Sequence, residues 1–191
     1  MKIWNMRCDC DKYTGYFIKD ENIKESIDES INRGIAIDDW EPIKIRKEKE
    51  INHTGNISHL WSIVGCFIAD EKAKVSLEKY FPGKIQFLKV INDEDGEELY
   101  LSNILECIEG IDYEKSVLRV YLNKFIAGVD KYVFTDDVLN NPIFKLKLNN
   151  IIMPGGTYVN DDFKNRINDL NLTGLTFEEL YDRDELHKTN S

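Results

Sequence analysis

The sequence predicts an α+β fold: a single domain with a mixed or mainly antiparallel sheet and several short helices. Three observations point there. Apolar residues recur at helical spacing only over short windows, as in Ile23, Ile27 and Ile31. Residues 143–148 alternate with period two, and an Asp95-Gly96 turn signal falls between two apolar runs. No regular βαβα rhythm connects these pieces, so helices and strands are expected to be interspersed rather than doubly wound. At 191 residues the chain can bury one core but is short for two.

The elements follow in order. Residues 1–7 carry Ile3, Trp4 and Met6 and suit a first strand; a polar turn over 11–15 leads to an apolar piece at 16–18. The helix marked by Ile23, Ile27 and Ile31 has Asp20 or Asn22 to cap it and Gly34 to end it. Ile43 and Ile45 alternate with Lys44 and Arg46, which predicts a half-buried edge strand, and Pro42 suits that placement. Residues 60–68 are apolar throughout and are expected to form a buried strand. Segments 84–91 and 97–101 flank "DEDG", a strong signal for a two-residue hairpin. Ile104, Leu105 and Ile108 favour a helix over 102–110, and 117–122 a strand. In 143–148, Phe144, Leu146 and Leu148 oppose Ile143, Lys145 and Lys147, the pattern of a strand with one buried face. The charged tail after Asp182 is expected to fray.

Residues 156–182 follow the local rules most closely. Asn160 is a helix N-cap, and Asp161 and Asp162 place negative charge at the positive end of the helix dipole. Phe163, Ile167 and Leu170 form one apolar stripe, Gly174 lets the chain reverse, and Leu175 to Phe177 reads as a short strand. Ninety residues earlier Asp70 stands for Asn160, Ala73, Leu77 and Tyr80 for the stripe, and Ile85 and Phe87 for Leu175 and Phe177. Such an internal repeat is either a duplication or two independent solutions to one packing problem.

The formal charge of −10 argues against nucleic acid or an anionic membrane as direct partner and favours a basic one. No apolar run has the length of a signal peptide or a spanning helix, so a cytoplasmic protein with reduced cysteines is expected.

The search for chemistry identifies no catalytic, cofactor-binding or metal-binding residue. Cys8 and Cys10 are separated only by Asp9, closer than structural zinc pairs, and His53 and His59 lie outside ligand spacing. A calcium loop around Asp93, Asp95 and Gly96 would begin at Ile91 and end at Ser102, both wrong. Cys66 and Cys107 sit in apolar segments, and Gly155-Gly156 is turn chemistry. Carboxylates are so abundant that pairs of them carry little information. The remaining expectation is a protein whose output is a surface.

Four stretches then carry a resemblance: the capped helix and Phe-bearing strand from Asp70 to Phe87, the run Tyr100-Leu101-Ser102-Asn103-Ile104-Leu105, the strand Ile143-Phe144-Lys145-Leu146, and the closing Leu172-Thr173-Gly174-Leu175-Thr176-Phe177. Over about residues 60–182 the chain resembles a bacterial immunity-protein family of polymorphic toxin systems. The resemblance implies a protein that binds and neutralises a toxin domain encoded by a neighbouring gene, and it offers no catalytic residue to carry over. Candidate contacts for a cationic toxin are the hairpin acids Asp93, Glu94, Asp95, Glu97 and Glu98, and the stretch from Glu178 through Glu179 and Asp182 to Glu185. Trp40, Trp61 and Tyr181 are candidate anchors, although Trp61 in an apolar run is the natural core residue of the three. Two alternatives stand beside this reading: a small carboxylate-dependent hydrolase, which needs an acid raised by burial, and a self-associating scaffold or homodimer pairing through 43–46.

Overall fold

The computed structural model describes residues 1–48, 50–51, 53–121 and 125–184. Among these, the elements run β1 (Lys2–Cys8), β2 (Tyr16–Ile18), α1 (Glu21–Arg33), β3 (Ile43–Lys47), β4 (Ile57–His59), β5 (Phe67–Ala69), α2 (Glu71–Tyr80), β6 (Ile85–Asn92), β7 (Glu98–Ile104), β8 (Cys107–Ile108), β9 (Val117–Tyr121), β10 (Phe125–Lys131), β11 (Ile143–Leu148), β12 (Ile151–Ile152), β13 (Thr157–Asn160), α3 (Asp161–Asp169) and β14 (Leu175–Asp182). Among the described residues the architecture is mostly sheet, with the three α-helices named. One sheet orders its strands β12-β11-β13-β1-β14, with β8 parallel to β11; the other orders them β2-β3-β6-β7-β5-β4; β9 and β10 form a separate ribbon.

The three helices form where local chemistry directs them. Asp20 accepts from the Asn22 amide and Gly34, at φ 63°, closes α1 in the left-handed region. Asp70 accepts from the Ala73 amide at 2.7 Å, and Asn160 from the Phe163 amide at 3.1 Å. Each of the last two helices then crosses over one inserted strand. The unit β5-α2-β6 straddles β7, and β13-α3-β14 straddles β1.

The internal repeat extends well beyond caps and stripes. Leu88 pairs with Leu101 and Ile85 with Ile104; ninety residues on, Glu178 pairs with Asn5 and Leu175 with Cys8. Tyr100 of β7 thus takes the place of Trp4 of β1. Lys74 lies over the Tyr100 ring at 4.8 Å, and its counterpart Lys164 lies over the Trp4 ring at 3.1 Å. Asp161 accepts from the Trp4 indole at 2.9 Å, while Glu71, the matching residue of α2, raises the pKa of the Tyr100 phenol. Packing alone asks only for apolar spacing, so an acid, an aromatic ring and a lysine repeating at matched positions favour duplication. The inserted strand follows its unit in one copy and begins the chain in the other.

One core joins both sheets. Met6, Ile143 and Val159 of the first sheet meet Phe67, Ala69 and Ile85 of the second around α2 and α3, where Phe81 stacks on Phe163 with centroids 4.9 Å apart. A second cluster lies under α1, and a third holds the ribbon through Leu118 and Ile126.

Several expected elements are corrected. Residues 60–68 are a turn between two short strands: Gly65 has φ 71°, the Ser62 hydroxyl accepts from Ile18, and only the ends of the run are in the sheet. Residues 102–110 hold no helix: 102–104 end β7, where Ser102 and Asn103 are buried in the β6–β7 pairing, and Cys107–Ile108 form β8. The β6–β7 hairpin forms, but its loop has four residues, closed where the Asn92 amide meets the Glu97 carbonyl. β3 is interior, paired with β2 on one side and β6 on the other, so the 43–46 strand has no open edge for a dimer. β14 runs on to Asp182, well past Phe177. β11 is buried on both faces. Its Lys145, 1% exposed, donates to the Ile31 carbonyl in the last turn of α1, where the helix dipole favours a cation, although burial lowers the ammonium's pKa. Leu122 and the tail from residue 185 lie outside the described residues.

Removing the ring shared by both sheets should be the costliest of these changes. Phe163→Ala is expected to lower stability by about 3–5 kcal/mol, and Asn160→Ala by about 1 kcal/mol, each read as a lower urea midpoint.

Candidate partner-binding surfaces

The hairpin acids divide into neutralised and free. Asp93 is held by Lys19 and by Lys44, the latter at 2.8 Å, and these two ammonium groups lower its carboxyl to about 2. Glu98 is paired with Lys89 across the β6–β7 ladder. Asp95 spends one oxygen on the Glu97 amide, closing the turn. Glu94 and Glu97 are exposed, and among the described residues neither has a cation partner.

The second acidic stretch is the edge strand β14, and its acids face cations on β1. Glu178 meets Arg7 at 3.2 Å, and Glu179 meets Lys2 at 2.7 Å. Asp182 meets Lys2 at 3.4 Å; a hydrogen bond from the Asp184 amide, with Lys2 and the N-terminus, lowers its pKa. Tyr181 is half-buried, edge-on to Phe134 in the third cluster, so it is first a packing residue. Glu185 lies outside the described residues.

Trp40 is half-buried beside the second cluster, and its indole donates to the Lys89 carbonyl at 2.7 Å. Its segment is strapped to the sheet by Gln86, which bonds both the amide and the carbonyl of Ile37. Asp38, Asp39 and Glu41 stand exposed around the ring.

Trp61 is the surprise. It is 43% exposed, at the mouth of a cleft of about 310 Å³ on the seam between the two sheets. One wall is β1 and the turn after it, with Met6, Cys8 and Cys10; the other is His59, Cys66 and Phe67. The ring is edge-on to His59 at 4.4 Å and stacked near Phe17 at 6.3 Å. It rests on Gly15, where a Cβ would lie 2.2 Å from the indole nitrogen. Its N–H donates to Glu48 at 3.0 Å. His59 is half-buried rather than free in solvent, and that burial lowers its pKa against the opposing effect of Glu48. Burial pushes the Cys66 thiol up to about 12, and burial followed by Asp11, Asp9 and Glu48 raises that of Cys10. Glu48 and Trp61 are distant in sequence, and only the return of the chain past Gly15 unites them. The one local hint was a tryptophan beside the turn residues "HTGNISHL".

Comparison with known protein families places the chain among immunity proteins. It belongs to the Imm11 immunity protein family, whose model matches residues 6–182. The resemblance read over 60–182 is borne out, and the match begins earlier, at Met6 within β1. No curated protein matches the sequence. No helix among the described residues is long and apolar enough to cross a membrane.

The Asp93 cluster has a definite acid signature. Its folded pKa lies below the unfolded value of 3.8, so the folded state binds fewer protons between about 2 and 3.8. The stability it contributes is present above that window and lost as pH falls through it. Asp93→Asn should therefore flatten the acid limb of the stability curve there, measured by urea unfolding at stepped pH.

Proposed function

We propose that the protein binds a cognate toxin domain encoded by a neighbouring gene and neutralises it in the cytoplasm by stoichiometric occlusion, without catalysis. The observation that carries this reading is the family match over residues 6–182. Occlusion needs a partner surface that complements this one, and on a chain of charge −10 that partner is cationic. Free acids steer the encounter, and a few half-exposed rings supply most of the affinity.

Within this reading Glu94 and Glu97 at the hairpin tip, with the acids around Trp40, are the better steering groups. Asp93, Glu98, Glu178, Glu179 and Asp182 are already answered by cations of the same chain, so a partner would have to displace a lysine or arginine to use them. The hydrolase alternative calls for a carboxyl raised by burial. The carboxylates with displaced pKa values among the described residues, Asp93, Glu109, Asp112 and Asp182, are all moved down.

Co-expression with the product of the adjacent reading frame tests the proposal. The neighbour alone should stop growth, the pair should grow, and the two chains should co-elute, less firmly at high salt. Rescue with no complex, or a harmless neighbour, would overturn it. Reversing Glu94 and Glu97 to Lys should slow association on the order of tenfold at low salt and flatten its salt dependence, followed by stopped-flow mixing.

A further inference from the structure

The cleft at the seam of the two sheets is a built feature, and of the sequence-derived contacts only Trp61 lines it. Trp61 is fixed from four sides: its amide donates to the Tyr16 carbonyl at 2.9 Å, its ring lies on Gly15, it packs against His59 at an interplanar angle of 79°, and its N–H is held by Glu48. Glu48 is itself anchored, since its amide donates to the Gly15 carbonyl at 2.9 Å and its carbonyl accepts from the Thr14 hydroxyl at 3.2 Å. A half-exposed tryptophan held this firmly loses little side-chain freedom on contact, which is what an interface anchor requires.

Both signs of charge lie near the ring, and the carboxylate that touches it is free. Glu48 and Asp11 have no cation partner among the described residues, whereas Asp9 is answered by Lys12 at 3.2 Å. Of the two arginines nearby, only Arg7 has an acid partner among the described residues. Arg7 lies along the wall and reaches Glu178, and Arg46 sits 5.4 Å from the centroid of the Phe17 ring. Glu97 and Asp95 add, after burial, to the raised pKa of Tyr16, so the free hairpin acids share the neighbourhood of the strand that supports Trp61. An indole face next to a carboxylate with a spare oxygen is the chemistry that recognises an ammonium or guanidinium group.

We infer that the rim of this cleft, where Trp61 and Glu48 meet, is a seat for a basic side chain of the toxin domain, a lysine or arginine whose cation rests on the Trp61 ring and pairs with Glu48. The assignment rests on the toxin-binding reading and adds to it a location and a partner chemistry. It also supplies a contact at the junction of the two sheets, separate from the β14 edge.

The test uses the full chain and the toxin domain encoded beside it, with Kd measured by calorimetry at low and high salt. Glu48→Gln keeps an acceptor for the indole and removes only the charge; it should weaken binding about tenfold at low salt and less at high salt. Trp61→Ala should weaken it on the order of thirtyfold. Gly15→Ala, which displaces the ring without altering its chemistry, should weaken binding in the same direction, while Val75→Ala on the outer side of α2 leaves it unchanged. Urea unfolding of each variant separates lost binding from lost folding. If the wild-type chain binds and all three cleft variants bind as it does, the seat is overturned and the toxin-binding reading survives. Loss with Trp61→Ala but not with Glu48→Gln overturns the basic side chain as occupant. If the wild-type chain itself does not bind, the parent reading has failed.

Discussion

The stacked contact between Phe81 and Phe163 sits where the two halves of the molecule become one. Neither sheet covers its own helix completely. α2 and α3 each bury an apolar stripe, and the residues that receive those stripes come from both sheets, with Met6, Ile143 and Val159 on one side and Phe67, Ala69 and Ile85 on the other. Hydrophobic burial at this shared layer therefore couples elements from both ends of the chain. Lys145 adds a polar tie of the same kind, reaching from β11 to the end of α1, and it is tolerated in the interior because a helix C-terminus receives its charge.

The repeated unit shows how this arrangement is assembled. A capped helix links two parallel strands and leaves a gap between them, and a third strand fills the gap antiparallel to both. In one copy that strand is β7, delivered at once by the β6 hairpin; in the other it is β1, delivered by the start of the chain. The start of β1 consequently meets the end of β14, with the N-terminal amine 3.9 Å from Asp182. The seam cleft lies where β1 passes the turn before β5, and it exists only because the first strand is threaded between elements from the far end.

What was legible in the sequence was local. The caps at Asp20, Asp70 and Asn160, the stripes of three helices, and the Gly34 stop depend on neighbours within a turn or two. The failures share one cause. In 102–110 the spacing of Ile104, Leu105 and Ile108 looks helical, but Ser102 and Asn103 have places in the sheet that only β6 and β5 reveal. The alternation of β11 suggested one wet face, yet Ile143 is buried in the core shared by both sheets and Lys145 against the end of α1. The candidate surface follows the same rule. An acid is visible in a sequence, but its neutralising lysine usually is not, and so Asp93 and Glu179 looked as available as Glu97. Trp61 inverted the expectation, since an apolar run implied core where the chain turns outward.

Stoichiometry tests the account most directly. The purified chain would be titrated into a fixed amount of the active toxin domain while the toxin's own reaction is followed. Direct neutralisation predicts that activity falls in proportion to added protein and vanishes near one equivalent. Full activity in the presence of excess protein, or complete loss at a small fraction of an equivalent, would contradict it: the first leaves no inhibitor, and the second describes a catalyst.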